Sequence, residues 1–378
     1  AETFPSTLFE SWSETLKNPN VIGDFVWTAI DYLGEAGVGY VIREREPNSE
    51  GLPLTAFTGD IDIIGNKRPQ SFYRDIVWGN RNSPYITVWP PSLYKEQLTY
   101  TMWAWHPVEH NYTFKDQEGM KTSVEIYSNG DEVELFINGI TQGRKSVGYK
   151  TKFKAEFEIL YQPGKIEAVA YKDGKELGRD CLETARETTQ LKLEADKKII
   201  KANGQDLCYI KITALDRNGN EVFDEKGKLV IDLDGCGELI ALGTGNPKPL
   251  QLYNSNENYL YEGKALAVVK STLECGKSTI NVRLDGCQMQ SITINCLEDK
   301  IDESELVQVN LIKEDENNFW EETLEALLDN KKTKPIIEKY CAELINNAMF
   351  STVKSMPLNQ IMQYAKDMIP DDAFDHID

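Results

Sequence analysis

A tryptophan at the end of a short apolar run is the first residue of this sequence whose position suggests chemistry. Residues 21–27 read VIGDFVW, and residues 28–35 continue with TAIDYLGE. Such a run is typical of a strand that is buried on both faces of a parallel sheet. In an α/β barrel the active site forms at the C-terminal ends of the strands, where the indole of Trp27 would offer a flat apolar face to a sugar ring. The alternative is a core tryptophan that closes the bottom of a barrel.

A second pattern has the spacing of a metal site. Residues 106–110 read HPVEH and match the H-x-x-E-H form of a zinc peptidase motif. That chemistry needs both histidines on one helix face, and Pro107, directly after a predicted strand over residues 99–105, disfavours a helix. The seven cysteines also lack CxxC spacing. We therefore expect no metal site and no cofactor.

Four regions with different periodicities surround these residues. Residues 1–84 contain a predicted helix over 6–17, the run at 21–27, a glycine-rich loop and a second helix over 68–78. Helix, buried strand, loop and helix follow one another as in an α/β barrel. This stretch is too short to close a barrel, so we expect only the C-terminal piece of one.

The next two regions change to a strand rhythm. Residues 85–183 and 188–297 each contain several short β-rich segments that are separated by turn signals such as Asn138-Gly139 and Asp285-Gly286. Each region is predicted to form a β-sandwich. The predicted strands cover residues 98–105, 122–127, 132–137, 153–160 and 165–171 in the first region, and 209–214, 229–233, 265–270, 279–284 and 291–295 in the second.

Residues 298–378 form an acidic tail with helical periodicity. Apolar side chains recur there in three stripes, which predict a small helical bundle that packs on itself or on a neighbouring domain. A partner-binding appendage is the alternative. The stripes contain Phe319, Trp320, Leu324, Leu327 and Leu328; Ile336, Ile337, Tyr340, Leu344 and Ile345; and Leu358, Ile361, Met362 and Met368.

Composition limits the class of partner. The 378 residues contain 61 acidic and 41 basic side chains, for a net charge of −20, so we expect neither nucleic acid nor an anionic membrane as a partner. No apolar run approaches the roughly 18–20 residues that span a bilayer. The scattered cysteines are interpreted as small buried residues of a cytoplasmic protein. One or two disulfides, in a secreted or periplasmic protein, are the alternative.

Several motifs resemble glycoside hydrolase family 2. Residues 23–35 (GDFVWTAIDYLGE) resemble the last barrel strand of its β-galactosidases, and residues 59–65 (GDIDIIG) with the helix at 68–78 resemble the closing loop and helix. Residues 103–107 (WAWHP) and 127–139 (YSNGDEVELFING) resemble the sandwich that follows the barrel. Residues 188–297, with GTGNP at 243–247, resemble the immunoglobulin-like domain of longer members. The resemblance covers about residues 1–297 and implies a multi-domain chain: the C-terminal fragment of a (β/α)8 barrel, two immunoglobulin-like β-sandwiches and a small α-helical tail.

The resemblance also implies roles for three residues. Glu2 precedes the helix that leads to the strand of Trp27, and residues 2–5 (ETFP) resemble the segment that carries the nucleophile, so Glu2 is the candidate catalytic residue. Trp27 and Asp31 are candidate substrate-binding residues. A retaining mechanism needs a second carboxyl group about 5–5.5 Å from the nucleophile. In this family that group belongs to the fourth barrel strand, which we expect the chain to lack, so the chain alone is expected to be inactive.

The expected substrate is a β-linked oligosaccharide or glycoside, most readily a β-galactoside. A β-glucuronide is the first alternative, because residues 66–68 (NKR) are similar to the N-x-K carboxylate clamp of β-glucuronidases, although the third residue is Arg68 and Pro69 follows. A non-enzymatic sandwich protein that binds carbohydrate or scaffolds a partner is the second. Homo-oligomerisation stays open. Surface aromatic residues that fit sugar binding are Trp103, Trp105, Tyr253 and Tyr259.

Overall fold

The computed structural model describes residues 2–34, 37–43, 53–249, 251–299 and 321–364. The chain divides into two compact units, Ala1–Asp299 and Lys300–Asp378. Strands dominate the first unit and helices the second.

The first unit opens with a β-α-β arrangement. Strand β1 (Glu2–Thr3) and strand β2 (Phe25–Val26) are parallel neighbours, and helix α1 (Leu8–Lys17) connects them. A tight hairpin turn can join only antiparallel strands, so parallel strands need a longer crossover, usually a helix. Pro5 precedes α1 in a short 3-10 turn, where its missing N–H costs no hydrogen bond. The described residues here include no closed barrel.

The predicted strand at residues 21–27 is shorter and more exposed than expected. Only Phe25 and Val26 are in strand conformation, and Ile22 and Phe25 are 105% and 79% exposed. The expectation of a strand buried on both faces was therefore wrong for this chain. The physical reason is that β2 has a single neighbour, β1, so its faces are not covered as those of a central strand would be.

Helix α2 (Pro69–Val77) connects this region to the first sandwich. Pro69 occupies the first turn, and Tyr73, Ile76 and Val77 form the buried face. They pack with Tyr127 in one apolar cluster. This contact covers one end of the strand Lys121–Tyr127, which is buried along almost its whole length.

The first sandwich consists of two antiparallel sheets. One has the strand order β4-β6-β9 and the other β11-β10-β7-β8. The strands are β4 (Tyr85–Val88), β6 (Lys121–Tyr127), β7 (Glu132–Ile137), β8 (Ile140–Ser146), β9 (Lys154–Leu160), β10 (Lys165–Lys172) and β11 (Lys175–Glu183). The core between the sheets includes Ile86, Val124, Leu135, Phe157 and Ile166.

Two hairpin turns of this sandwich have the backbone conformation that their sequences predict. Asn138 and Gly139 have φ values of 50° and 80° between β7 and β8, and Asp173 and Gly174 have 51° and 73° between β10 and β11. Two successive positive φ values are the requirement of a type I′ hairpin, which Asn-Gly and Asp-Gly satisfy with little strain.

The predicted strand at residues 98–105 is wrong in extent and in its pairing. Strand β5 covers only Leu98–Tyr100, and it pairs with β3 (Val41–Arg43) rather than with a sandwich strand. A turn follows, in which Trp103 has a φ of 63°. Apolar composition had suggested a continuous strand, but the positive φ at Trp103 ends the extended conformation.

The second sandwich has sheets of four and five strands. Their orders are β12-β14-β18-β16 and β13-β20-β19-β15-β17, with β13 and β20 parallel. The strands are β12 (Gln190–Ala195), β13 (Ile199–Lys201), β14 (Leu207–Leu215), β15 (Lys228–Gly235), β16 (Gly237–Gly243), β17 (Glu257–Tyr259), β18 (Lys264–Ser271), β19 (Gly276–Leu284) and β20 (Gln290–Leu297). Alternating burial along β14 and β18 places one side chain in two in the core.

All seven cysteines are free thiols. Cys208, Cys236 and Cys296 lie in the core of the second sandwich, and Cys341 is buried in the helical unit. Cys181 and Cys275 are exposed. Burial as small apolar residues thus explains four of them and not the exposed pair.

The second unit is helical where it is described. Its helices are α3 (Leu324–Asp329), α4 (Lys334–Tyr340), α5 (Ala342–Ile345), α6 (Phe350–Val353) and α7 (Leu358–Tyr364). Leu324, Leu327, Ile337, Leu344 and Ile361 are buried together, and the Thr323 hydroxyl accepts the Ala326 N–H at the start of α3. Phe319, Trp320 and Met368 of the predicted stripes lie outside the described residues. Among the described helices, none combines the length and apolarity required of a membrane span.

Candidate functional site

Glu2 lies on strand β1, and Trp27 directly follows the parallel neighbour of that strand, β2. Glu2 is the register partner of Phe25, and the Trp27 N–H donates to the Thr3 carbonyl at 3.3 Å. Register partners point to the same face of a sheet, so Glu2 and Phe25 share a face, and Trp27 directly follows β2. That face is open, since Glu2 and Phe25 are exposed, and Trp27 is 40% exposed.

The opposite face of the same strands is closed. Thr3 is buried, and its hydroxyl donates to the Asp24 carboxylate. Trp27 is also held from the side, because its ring meets Tyr32 edge to face with centroids 6.1 Å apart. The sheet therefore presents a carboxylate and an aromatic ring outward from a fixed backbone.

Asp31 lies in a different environment from Glu2 and Trp27. Its Oδ2 pairs with Arg68 Nη2 at 2.5 Å, and its Oδ1 accepts the Gly59 N–H at 2.7 Å. Burial raises the pKa of the Asp31 carboxyl even though Arg68 and Gly59 favour its charged form. Among the described residues, no hydrogen bond or ion pair joins Asp31 to Glu2 or Trp27. The structure thus shows Asp31 fastening the loop after β2 to the start of α2.

Gly59 is required for that fastening. A Cβ atom at this position would lie 2.4 Å from the Asp31 backbone nitrogen and 2.4 Å from the Ile61 carbonyl oxygen. These contacts are far inside van der Waals distance, and backbone atoms cannot move aside as a flexible side chain can. Only glycine lets the two loop segments approach closely enough for the Asp31 hydrogen bond.

A second buried ion pair was not foreseen from the sequence. Arg74 Nε and Nη2 donate to the two carboxylate oxygens of Asp60 at 2.5 and 3.3 Å, and both side chains are almost fully buried. The Gln70 side chain donates to the Gly59 carbonyl at 2.9 Å. Three side chains of α2 or its cap, including Arg68, therefore position the loop that follows Trp27. Neither spacing nor composition marks Asp60 as the partner of Arg74.

The segment 66–68 is occupied by internal partners. Asn66 donates through its backbone and side chain to Asp62 at 2.7 and 3.0 Å. Lys67 pairs with Asp75 at 2.6 Å, and Arg68 precedes Pro69 as the cap of α2. The triplet therefore leads directly into α2.

The HPVEH motif does not form a metal site among the described residues. It is not helical. His106 Nε2 contacts Glu125 Oε2 at 2.7 Å, whereas His110 Nδ1 contacts the Ile86 carbonyl oxygen at 2.7 Å. Glu109 bonds to the Asn111 amide instead. The three side chains therefore have separate structural partners.

The four aromatic residues proposed for sugar binding divide by burial. Trp105 is buried in the cluster that includes Tyr73 and Tyr127, and Trp103 meets Phe4 edge to face at 5.2 Å. Tyr259 is 44% exposed, and Tyr253 is half-buried. Packing thus accounts for Trp103 and Trp105.

Two family models match this chain. One, described as glycoside hydrolase family 2 C-terminal domain 5, matches residues 191–293. The other, described as a domain of unknown function (DUF4982), matches residues 119–178. These ranges lie within the second and the first sandwich.

Full-length relatives match over a larger part of the chain. The β-galactosidase BoGH2A of Bacteroides ovatus is 24% identical over 291 residues, which cover 76% of this chain and 30% of that protein. A putative β-glucuronidase of Formosa agariphila is 27% identical over 266 residues, or 70% of this chain and 23% of that protein. The chain therefore spans less than a third of the length of either relative.

Solved structures show the same relationship. A glycosyl hydrolase family 2 member from Bacteroides cellulosilyticus superposes with a TM-score of 0.72 at 29% identity, covering 79% of this chain and 39% of that one. A β-glycosidase from Bacteroides vulgatus has a TM-score of 0.60 at 26% identity, with 76% and 32% covered.

Proposed function

We propose that this chain, which matches a glycoside hydrolase family 2 domain model and solved family 2 structures, is the C-terminal region of a retaining β-glycosidase that hydrolyses β-galactosides. The observation that carries this proposal is the parallel pairing of β1, which contains Glu2, with β2, which Trp27 directly follows. Both side chains are exposed, and a carboxylate and an aromatic ring are the groups that a nucleophile and a sugar platform require. The βαβ connection through α1 supports it, since it gives the two strands the parallel order of neighbouring barrel strands.

In the proposed mechanism Glu2 attacks the anomeric carbon of the substrate. The Glu2 oxygen forms a bond to that carbon while the bond to the leaving group breaks, and water then displaces Glu2 with net retention of configuration. Trp27 holds the sugar ring by apolar contact with its C–H face. Correct positioning of the reacting atoms supplies much of the rate enhancement in such a step.

The leaving group also needs a proton from a second carboxyl group. We assign this donor to a part of the longer enzyme outside these 378 residues. The short coverage of the relatives, 30% and 23% of their lengths, supports that assignment. We accordingly propose that the 378-residue chain alone does not hydrolyse glycosides.

A neutral sugar is the better substrate for the residues in place. A glucuronide brings a carboxylate that needs an unoccupied cation. Lys67 and Arg68 are paired with Asp75 and Asp31 at 2.6 and 2.5 Å. The relatives include both a β-galactosidase and a putative β-glucuronidase, so the preference for galactosides rests on these internal pairs.

The assignment of Glu2 is tested in the longer enzyme with a slow 2-fluoro β-galactoside. If Glu2 is the nucleophile, mass spectrometry of the digested protein will find the sugar on the peptide that contains Glu2. Glu2→Gln should lower turnover of an aryl β-galactoside by several orders of magnitude. Labelling of a different carboxylate, or near-normal turnover of Glu2→Gln, would exclude the assignment.

A further inference from the structure

A cavity of about 1120 Å³ lies within the first unit, where the loop after β2, the first sandwich and the second sandwich meet. The three parts are connected around it: Leu54 N donates to the Pro247 carbonyl at 2.8 Å, and Lys115 pairs with Asp224 at 2.8 Å. Neither Glu2 nor Trp27 lines this cavity. Its size is that of a binding site for several sugar rings.

Two glutamates of the cavity wall are held by rigid backbone. Glu109 forms both backbone hydrogen bonds with Val88, and its Oε2 accepts the Asn111 amide at 3.1 Å. Glu262 lies in the turn between Tyr261 and Lys264, whose backbones bond to each other at 3.0 and 3.2 Å. Glu262 adopts a φ of 52° there. Both side chains therefore start from a fixed backbone.

The same wall contains two aromatic stacks. Tyr40 and Phe57 stack at 5.6 Å, and the Arg68 guanidinium lies 3.6 Å from the Phe57 ring centre. Tyr85 stacks between Phe72 at 4.1 Å and His110 at 4.3 Å. Stacked rings are stiff, and they offer apolar surface next to the hydrogen-bonding groups. Aromatic faces beside convergent polar side chains suit a ligand that is both hydroxylated and apolar along its ring faces.

Three cationic side chains of the wall have carboxylate partners. Arg68 pairs with Asp31 at 2.5 Å, Lys67 with Asp75 at 2.6 Å and Lys264 with Glu221 at 3.0 Å. Burial raises the pKa of Glu109 to about 8 and also raises the pKa of Glu262, so protons neutralise both groups over a wider pH range than usual. These five groups therefore give a charged ligand little advantage over a neutral polar one.

From this arrangement we propose that the cavity binds a neutral β-linked oligosaccharide, whose hydroxyl groups bond to Glu109 and Glu262 and whose rings contact the two aromatic stacks. The choice of a β-linked sugar rests on the proposed function. That this cavity is a binding site is inferred from its size and from the positions of its glutamates and aromatic rings.

The test is a calorimetric titration of the 378-residue chain with β-1,4-galactotriose, which needs no turnover. We expect saturable binding, and Glu109→Ala or Glu262→Ala should weaken it about tenfold through loss of hydrogen bonds to the sugar. Glu176→Ala is the matched control, because Glu176 is an exposed carboxylate paired with Arg179 at 2.7 Å on β11 and does not line the cavity. It should bind as the unaltered chain does. Cellotriose is titrated as a second neutral trisaccharide. The proposal would be overturned if neither galactotriose nor cellotriose bound saturably at concentrations up to about 10 mM.

A second measurement locates the site without any variant. Hydrogen–deuterium exchange of the unaltered chain should slow on sugar addition in peptides that cover residues 105–112 and 261–264. Protection confined to other segments would place the sugar elsewhere and overturn the proposal, even if an alanine variant failed to fold. A trigalacturonate should bind at least tenfold more weakly than galactotriose. If it bound more tightly than galactotriose, the proposal that the ligand is neutral would be overturned.

The results separate this site from the proposed catalytic role. Glu2→Gln in the 378-residue chain should bind galactotriose with unchanged affinity, whereas the same change tests hydrolysis in the longer enzyme. Binding of cellotriose in place of galactotriose would keep the cavity site and contradict the β-galactoside preference instead.

Discussion

The segment around β1 and β2 and the two sandwiches are stabilised in different ways. In the sandwiches, strands of six to nine residues pair in long registers around continuous apolar cores. In the opening segment, the paired strands have two residues each, Phe25 and Ile22 are exposed, and buried ion pairs fasten the loop to α2. Burial of apolar side chains stabilises the sandwiches, whereas ion pairs and hydrogen bonds hold the polar opening segment in place.

Removing half of a buried ion pair should give the largest effect. Asp60→Ala leaves the Arg74 guanidinium buried without its carboxylate, and we expect a loss of about 3–5 kcal/mol in the free energy of unfolding. Denaturant unfolding followed by tryptophan fluorescence measures it. Asp232→Ala is the control, because its pair with Arg283 at 2.6 Å is half exposed and should be worth less than about 1 kcal/mol. Equal losses for the two variants would refute the importance of the buried pair.

A cavity in a sandwich core should cost somewhat less. Ile210 on β14 is fully buried in the core of the second sandwich. Ile210→Ala should lower the free energy of unfolding by about 3 kcal/mol, the usual cost of lost apolar contact plus an unfilled space. The same denaturant titration measures this change. A loss below about 1 kcal/mol would contradict the continuous core.

Protonation of Glu109 should make the free energy of unfolding depend on pH. Its pKa is raised to about 8 in the folded protein, so between the ordinary glutamate pKa and 8 the folded state binds more protons than the unfolded state. The free energy of unfolding should therefore fall as pH rises through that window. Glu109→Gln cannot ionise and should flatten this slope. Thermal unfolding at several pH values from 5 to 8.5 measures it, and parallel curves for both proteins would rule the effect out.

The smallest effect is expected on the open face of β2. Phe25 is 79% exposed, so Phe25→Ala should change the free energy of unfolding of the chain by less than about 0.5 kcal/mol. Denaturant titration of this variant beside Ile210→Ala compares the two losses in the free energy of unfolding directly. A loss as large as that of Ile210→Ala would show that the face is covered.

Much of the sandwich architecture was predictable from residues that act locally. All five strands foreseen in the second region correspond to observed strands, and the Asn138-Gly139 turn has the required backbone. Strand β8 was missed because its residues are exposed throughout and lack a hydrophobic pattern. The strand predicted at 98–105 failed because Trp103 takes a positive φ that apolar composition does not reveal.

The candidate site residues came from the family resemblance rather than from local patterns. The resemblance put Glu2 one helix before the run that contains Trp27, and β1 and β2 are parallel neighbours. The resemblance also proposed Asp31 for substrate binding, but its carboxylate is bound to Arg68. The partner lies 37 residues away, and no local pattern encodes it.

The sequence by itself determined the two β-rich regions, the helical periodicity near α1 and α2, the absence of CxxC spacing and the position of Trp27 after a strand. These features depend on period, turn chemistry and residue type within a few positions of each other. Only the tertiary structure decided which carboxylates face water and which are paired, and that three distant segments enclose a cavity lined by Glu109 and Glu262. The buried ion pairs join residues 14 and 37 positions apart, and the cavity wall joins Glu109 to Glu262. No local pattern connects such segments, so the physical cause of both features is tertiary packing.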